Sequence, residues 1–179
     1  MITYIPDFLP NPAEVFNALW SELDWERRGL TPRREYYAND IDVPYTYGTG
    51  QFARTYENKP WHPLMREIQA KLSNHTGTAF EACFLNGYED QSDSLQWHAD
   101  DSPEMDDDRP IGIISLGAAR EIWFCPQNDK TDVTKLKLAS GSLCLMPPGM
   151  QDTHFHRIPK AGFICAERVS LTFRGFKAT

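Results

Sequence analysis

Arg168-Val169-Ser170-Leu171-Thr172-Phe173-Arg174 reads as a β-strand with an arginine at each end. The two arginines are six residues apart, so on a strand they share one face. Their Cα atoms then stand roughly 20 Å apart, at about 3.3 Å per residue. Two long side chains reaching toward each other leave a gap suited to a short dicarboxylate, because the planar guanidinium donates two parallel hydrogen bonds to a carboxylate. Upstream, the same kind of run recurs: Phe80 to Tyr88, Leu95 to His98, Ile111 to Leu116, Glu121 to Cys125, Val133 to Leu138, Ser142 to Met146 and Thr153 to Arg157. Gly, Pro, Asn and Asp punctuate these runs. Several short strands divided by turn signals indicate a sandwich, barrel or jelly roll.

The N-terminal part has a different period. Asn11-Pro12-Ala13-Glu14 reads as a helix start, with Asn11 as N-cap and Pro12 at the first helical position. Val15, Phe16, Leu19, Trp20 and Leu23 follow at helical spacing. A second helix begins near Pro63, with Leu64, Ile68 and Leu72 as its buried stripe. Between the helices, Pro32-Arg33-Arg34-Glu35-Tyr36-Tyr37 and Pro44-Tyr45-Thr46-Tyr47-Gly48 read as loops or short ribbons. There is no internal repeat and no low-complexity segment. The expectation is one domain over residues 1–179, mainly β, with two or more N-terminal helices packed outside a β core.

Composition narrows the class. At 179 residues and 41% hydrophobic, the chain suits a globular domain with a real core. No apolar run approaches the roughly 20 residues of a membrane span, and the start of the chain lacks the pattern of a signal peptide. A cytoplasmic monomer without membrane contact is therefore expected. The four cysteines, Cys83, Cys125, Cys144 and Cys165, form no C-x-x-C pair and read as buried or half-buried free thiols. A net charge of -7 argues against a broad nucleic-acid footprint while leaving room for a local basic rim. The acidic run Glu104 to Asp108 reads as a solvated loop.

His98-Ala99-Asp100 sets an imidazole and a carboxylate two residues apart, on one face if the strand continues through them. A histidine from a later strand completes a 2-His-1-carboxylate facial triad, which leaves open positions on iron(II). His154 and His156 are both candidates, and strand period alone does not separate them. His62 and His75 lie in the helical part and read as structural. Asn86 and Tyr88 supply neutral hydrogen-bonding groups just before the H-x-D.

In the order Asn86-x-Tyr88, His98-x-Asp100, His156 and Arg168-x5-Arg174, these motifs resemble the AlkB family of oxidative demethylases. Pro110 to Gly117 and Gly141 to Met146 are similar to the family's strands between the motifs, and the likeness runs over roughly residues 30 to 176. It implies a double-stranded β-helix, or jelly roll, using iron(II), 2-oxoglutarate and O2. It also resolves the histidines in favour of His156, which stands shortly before Pro159. By resemblance, Arg168 holds the far carboxylate of 2-oxoglutarate, Arg174 lies near its metal-bound carboxylate, and Asn86 and Tyr88 add hydrogen bonds. The implied activity is demethylation of N-alkylated bases of the 1-methyladenine or 3-methylcytosine type in DNA or RNA, releasing formaldehyde, succinate and carbon dioxide. The alternative is a 2-oxoglutarate-dependent hydroxylase or demethylase of a protein, a lipid or a small metabolite. The tyrosine-rich segment, at about 30–58, is similar to the lids that cover a flipped base. Tyr47 would stack on that base opposite His98, with Tyr45 beside it; Arg33 and Arg34 would contact phosphate. Asp101 and Ser102 would lie at the base. Ser102 is a departure, since repair members commonly carry there an acidic residue that contacts the base; a hydroxyl still hydrogen-bonds but does not replace a carboxylate in kind.

Overall fold

The computed structural model describes residues 1–47 and 53–177. Twelve strands and two helices follow in the order β1 (Thr3–Ile5), α1 (Pro12–Glu22), β2 (Arg34–Asn39), β3 (Tyr45–Tyr47), β4 (Arg54–Tyr56), α2 (Pro63–Thr76), β5 (Ala82–Tyr88), β6 (Leu95–His98), β7 (Ile111–Gly117), β8 (Arg120–Pro126), β9 (Thr134–Leu138), β10 (Ser142–Met146), β11 (His154–Ile158) and β12 (Arg168–Arg174). Six strands form one antiparallel sheet in the order β1-β10-β7-β12-β5-β2, four form a second in the order β6-β11-β8-β9, and β3 pairs with β4 as a hairpin. The architecture is the mainly β jelly roll with outside helices that the sequence led us to expect.

The six-stranded sheet is buried on both faces, and alternation along its strands divides two environments. On β12, Val169, Leu171 and Phe173 face the helices, where they join Leu85, Ile114, Leu116, Leu19, Met65, Ile68 and Leu72 in one apolar cluster. The intervening Arg168, Ser170, Thr172 and Arg174 are also buried. They face the interior between the sheets. β5 alternates likewise, with Cys83 and Leu85 toward the helices and Phe84, Asn86 and Tyr88 toward the interior. A strand that buries polar residues on its inner face requires partners there, since an unmatched buried polar group is costly.

The helices follow the expected stripes, with Leu19 buried on α1 and Met65, Ile68 and Leu72 on α2. The expected start of α1 holds, with Asn11 at the N-cap and Pro12 opening the helix, and one local reading, of residues 34–39, needs correction. Asn11 occupies the N-cap of α1 but adopts a left-handed conformation (φ 53°) and makes no side-chain capping bond. His62 is the N-cap of α2 and does cap with its side chain, its Nδ1 accepting from the Leu64 amide at 3.1 Å. Residues 34–39, expected as loop or ribbon, are a full edge strand of the large sheet paired to β5. Their inward tyrosines are buried against that sheet, so the clustering of Tyr here reflects packing as well as function. β1, absent from the sequence reading, is a short strand added beside β10. All four cysteines are free, and no helix among the described residues is long and apolar enough to cross a membrane.

The outer face of the small sheet is tied by a row of cation–π contacts. Arg157 lies between Trp97 (4.7 Å) and Trp123 (4.4 Å), and Lys135 lies over Trp123 at 4.2 Å. The row crosses β6, β11, β8 and β9 and braces the short strand that carries His98. Gly117 closes the turn from β7 to β8 at φ +82°, where a Cβ would sit 2.5 Å from the Glu167 carbonyl oxygen.

Truncation of Leu171, fully buried between helices and sheet, is expected to cost about 2–5 kcal/mol. Urea titration of Leu171→Ala checks this; a loss below about 1 kcal/mol, smaller than such truncations cost, would contradict the packing described.

Candidate active site

The inner face of β12, the ends of β6 and β11 and the β3–β4 hairpin line a pocket that opens to solvent. His98 ends β6 and is the cross-strand partner of His156 on β11. Their ring centroids are 4.2 Å apart. Asp100 Oδ1 lies 3.7 Å from His98 Nε2, and its Oδ2 lies 3.6 Å from His156 Nε2. One ligand atom from each of the three residues lies within 4.8 Å of the others, and separations such as the 3.6 and 3.7 Å from Asp100 to the two imidazoles are ones a single cation bridges at metal–ligand bonds of about 2.0–2.2 Å. His98 Nδ1 is 2.8 Å from the Gln96 carbonyl oxygen; donation there leaves Nε2 as the free lone pair facing Asp100. His154 turns to Thr153, its Nδ1 2.8 Å from the hydroxyl, and lines a different surface groove.

β6 ends at His98, so Asp100 is presented by a loop and not by the strand expected from the H-x-D spacing. Gln151 fixes that loop: its Oε1 accepts from the Asp100 amide at 2.9 Å. Gln127 in turn donates to the Gln151 carbonyl at 2.9 Å. Arg120 secures the approach to β6 by donating to the carbonyls of Asp93 (2.9 Å) and Asp90 (3.1 Å) and to that of Pro159 (2.5 Å) beyond β11. Neither Gln151 nor Arg120 was singled out in the sequence, because each acts through backbone groups that only the fold brings near.

Burial and charge set the protonation states. Burial pushes the His98 and His156 imidazoles below their ordinary value of 6.5, His156 to about 3, and Asp100 offsets this only in part. Both rings are neutral at pH 7, the form that binds metals. Burial opposes ionisation of Asp100, but Arg174 and then the two imidazoles outweigh it and hold the carboxyl below its ordinary value. Arg174 Nη2 lies 3.2 Å from Asp100 Oδ1. Its Nη1 donates to the Tyr45 hydroxyl at 3.1 Å, and that hydroxyl is 2.7 Å from Ser102 Oγ.

Arg168 differs from Arg174 in one respect. It is fully buried, and its Nε donates to Ser115 Oγ at 2.9 Å. Among the described residues its Nη1 and Nη2 have no hydrogen-bond partner, and neither does the Tyr88 hydroxyl, whose ring lies 5.1 Å from the guanidinium carbon. Burial lowers the Arg168 pKa, yet a guanidinium stays charged in proteins. Two unmatched donors on a buried cation fit a carboxylate. Ser170, Thr172, Ile113, Ile122 and Ile158 line the space between this end and the His–Asp–His cluster, so the residues present fit a dicarboxylate that reaches from Arg168 to a metal. Asn86, also on the wall, accepts from Arg33 Nε at 2.8 Å.

At the mouth the sequence expectations divide. Tyr47 is 37% exposed and meets His98 edge-on, with centroids 6.4 Å apart and planes at 84°. A base held between parallel rings needs this tyrosine to turn. Tyr45 is buried against Phe84 and Tyr56 and lines the cavity. Arg33 does not reach out to phosphate: it turns inward onto Asn86, the Ser94 carbonyl and the buried Glu35 carboxylate at 2.8 Å, which satisfies its nitrogens. Arg34 points to the opposite face of β2, pairing with Glu89 at 2.7 Å and covering Trp20 at 4.7 Å. Asp101 is exposed next to the buried Asp100, and Ser102 is buried on Tyr45. Residues 48–52 of the expected lid, Gly48 among them, lie outside the described residues.

Comparison with known proteins agrees with this geometry. Residues 2–174 match the 2OG-Fe(II) oxygenase superfamily. The DNA oxidative demethylase ALKBH2 of Mus musculus is 31% identical over 150 residues, covering 80% of this chain and 61% of the relative. That of Homo sapiens is 31% identical over 179 residues, covering 90% and 67%. The human alpha-ketoglutarate-dependent dioxygenase alkB homolog 3 is 33% identical over 175 residues, covering 89% and 60%. The chain thus spans about 60–67% of the length of these relatives. A solved structure of OsALKBH1 superposes with a TM-score of 0.70 at 16% identity, covering 97% of this chain and 96% of that one, which is a likeness of fold.

Two outcomes are expected. Arg168→Met should weaken 2-oxoglutarate binding by about 2–5 kcal/mol while raising the melting temperature of the metal-free protein, because it removes an unmatched buried charge; calorimetry and thermal melts read both. Second, the unfolded chain binds more protons than the folded one between about pH 3 and 6.5 through His156. The metal-free protein should therefore lose stability as pH falls through that window, and less steeply in His156→Gln, as urea midpoints across pH would show.

Proposed function

Given that the chain belongs to the 2OG-Fe(II) oxygenase superfamily and is of the AlkB type, we propose that it demethylates N-alkylated bases of DNA or RNA by oxidation. The single observation that carries this reading is the joining, in one cavity, of the His98–Asp100–His156 cluster, an orphaned buried guanidinium at Arg168 and an aromatic mouth at Tyr47. Iron(II) with 2-oxoglutarate supplies the oxidising chemistry, in which the cosubstrate leaves as succinate and carbon dioxide and the methyl group as formaldehyde.

The chain's own part is binding, orientation and exclusion of water. His98 Nε2, Asp100 and His156 Nε2 hold the metal, and Arg174 keeps Asp100 ionised and aimed. Arg168 and Tyr88 take the far carboxylate of the cosubstrate. Ile113, Ile122, Ile158 and Leu95 keep the space beside the metal apolar. Tyr47, turned from its edge-on contact, covers one face of an extruded base while the His98 imidazole covers the other. Stacking suits this task because every base has a π-face. The relatives support the substrate class: those of Mus musculus and Homo sapiens named above are DNA oxidative demethylases.

Iron-loaded protein incubated with 2-oxoglutarate and methylated single-stranded oligonucleotides is expected to release formaldehyde in step with methyl loss by mass spectrometry. Tyr47→Ala should raise KM about tenfold, the value of one lost stacking contact, with 2-oxoglutarate binding unchanged. Release of neither product, beside an active control enzyme, would contradict the proposal.

A further inference from the structure

Building on the reading of the mouth as a site for an extruded base, we infer that the outer face of the four-stranded sheet is a track for the single-stranded nucleic acid flanking that base. The face carries a cross-strand row. Arg157 on β11 stands opposite Trp123 on β8, and Trp123 stands opposite Lys135 on β9. Trp97 on β6 lies on the other side of Arg157, so the guanidinium meets two indoles, at 4.7 and 4.4 Å. Lys135 Nζ is 4.2 Å from the Trp123 ring. Four strands spaced at about 4.8 Å make the row about 14 Å long. Phe155, two residues from Arg157 on β11, adds a further ring to the same face.

Charge selects the occupant. The chain has a net charge of -7, yet the four strands of this sheet hold one carboxylate, Glu121, against Lys135, Lys137 and Arg157 on the same outer face. Glu121 is exposed, stands opposite Lys137 and accepts from Trp123 Nε1 at 2.7 Å. In the β8–β9 turn, Asp129 and Asp132 offset Lys130, so the turn is left out of the track. Among the described residues, no ion pair involves Lys135, Lys137, Arg157 or Arg54. Arg157 Nε is buried without a hydrogen-bond partner. Unpaired cations interleaved with aromatic rings suit a polyanion whose units also carry π-faces. Bases stack on aromatic rings and on guanidinium planes alike, and only unpaired bases expose those faces, which favours a single strand over a duplex. Position supplies the route. Trp97 also lines a groove with Gln96, His98, Tyr47 and Arg54. A strand leaving the mouth past Tyr47 and His98 therefore meets Arg54, then Trp97, then the row.

The test compares the wild-type protein with the double variant Lys135→Gln, Lys137→Gln. Both lysines are exposed, so the fold should be kept, as an equal melting temperature would show. Anisotropy is measured anaerobically with iron(II) and 2-oxoglutarate bound. The probes are a methylated single strand of about 15 nucleotides, within the site sizes of such platforms, its duplex, and a methylated trinucleotide too short to lie along the row. The wild-type protein should bind the long strand about tenfold more tightly than the duplex, the value of one stacked base. The double variant should bind the long strand about tenfold more weakly at low salt, and the slope of log K against log salt should fall by about 1.4, at about 0.7 per phosphate. In turnover, KM for the long strand should rise about tenfold with kcat unchanged, and the trinucleotide should be processed as before. Wild-type binding of the long strand by the double variant overturns the inference, as does an equal loss on the trinucleotide or a duplex bound as tightly as the single strand. Lysine-dependent binding of a long strand that is never demethylated would remove the demethylase reading and leave the track, whereas demethylation without lysine dependence would remove the track alone.

Discussion

Arg168 places a permanent positive charge out of reach of water, with two of its nitrogens unmatched. Burying an ion without a partner costs several kcal/mol, so a stable fold tolerates it only where a ligand completes the pairing. The neighbouring unmatched Tyr88 hydroxyl makes the same demand of the same ligand. At the other end of the strand, Arg174 has its anion in Asp100, and Asp100 is in turn drawn to two neutral imidazoles. β12 therefore carries a filled cation site and an open one on a single inner face. The distance between them defines a dicarboxylate reaching toward a metal.

The rest of the molecule serves that face. Alternation along β12 and β5 sends every second side chain to the helices, so one set of residues pays for the fold while the other lines the cavity. The small sheet supplies His98 and His156 as cross-strand partners, and its outer row of tryptophans and cations holds the register that keeps them 4.2 Å apart. Gln151 and Arg120 fix the loops where strand geometry stops. The mouth is less constrained: Tyr47 is exposed and only edge-on to His98, as a residue that changes orientation on binding requires.

Much of this was legible in the sequence because period and residue type coincide. The strand runs, both helical stripes and the two arginines on one face of β12 followed from spacing alone. His98 and Asp100 followed in identity, though through a strand that in fact ends at His98. The choice of His156 over His154 needed the family pattern; in the structure His154 bonds to Thr153 and lies away from Asp100. Arg33 and Arg34 misled because a basic pair in a loop resembles a phosphate contact. Glu35, two residues from Arg33, pulls one inward, and the alternation of β2 sends the other to Trp20. Such pairings depend on strand β2, which its Pro- and Gly-rich surroundings concealed. Ser102 was visible as a departure, but its bond to Tyr45 was not, since the two lie 57 residues apart.

The central claim is that Arg168 and the His–Asp–His cluster bind one dicarboxylate and one metal together. Anaerobic titration of the iron(II)-loaded protein with 2-oxoglutarate tests it most directly, followed by the visible charge-transfer absorption that a 2-oxo acid gives when it chelates iron(II). The account predicts a saturable band at one equivalent that succinate, lacking the keto group, does not produce. Absence of the band with iron bound, or an identical band and affinity in Arg168→Met, would contradict it.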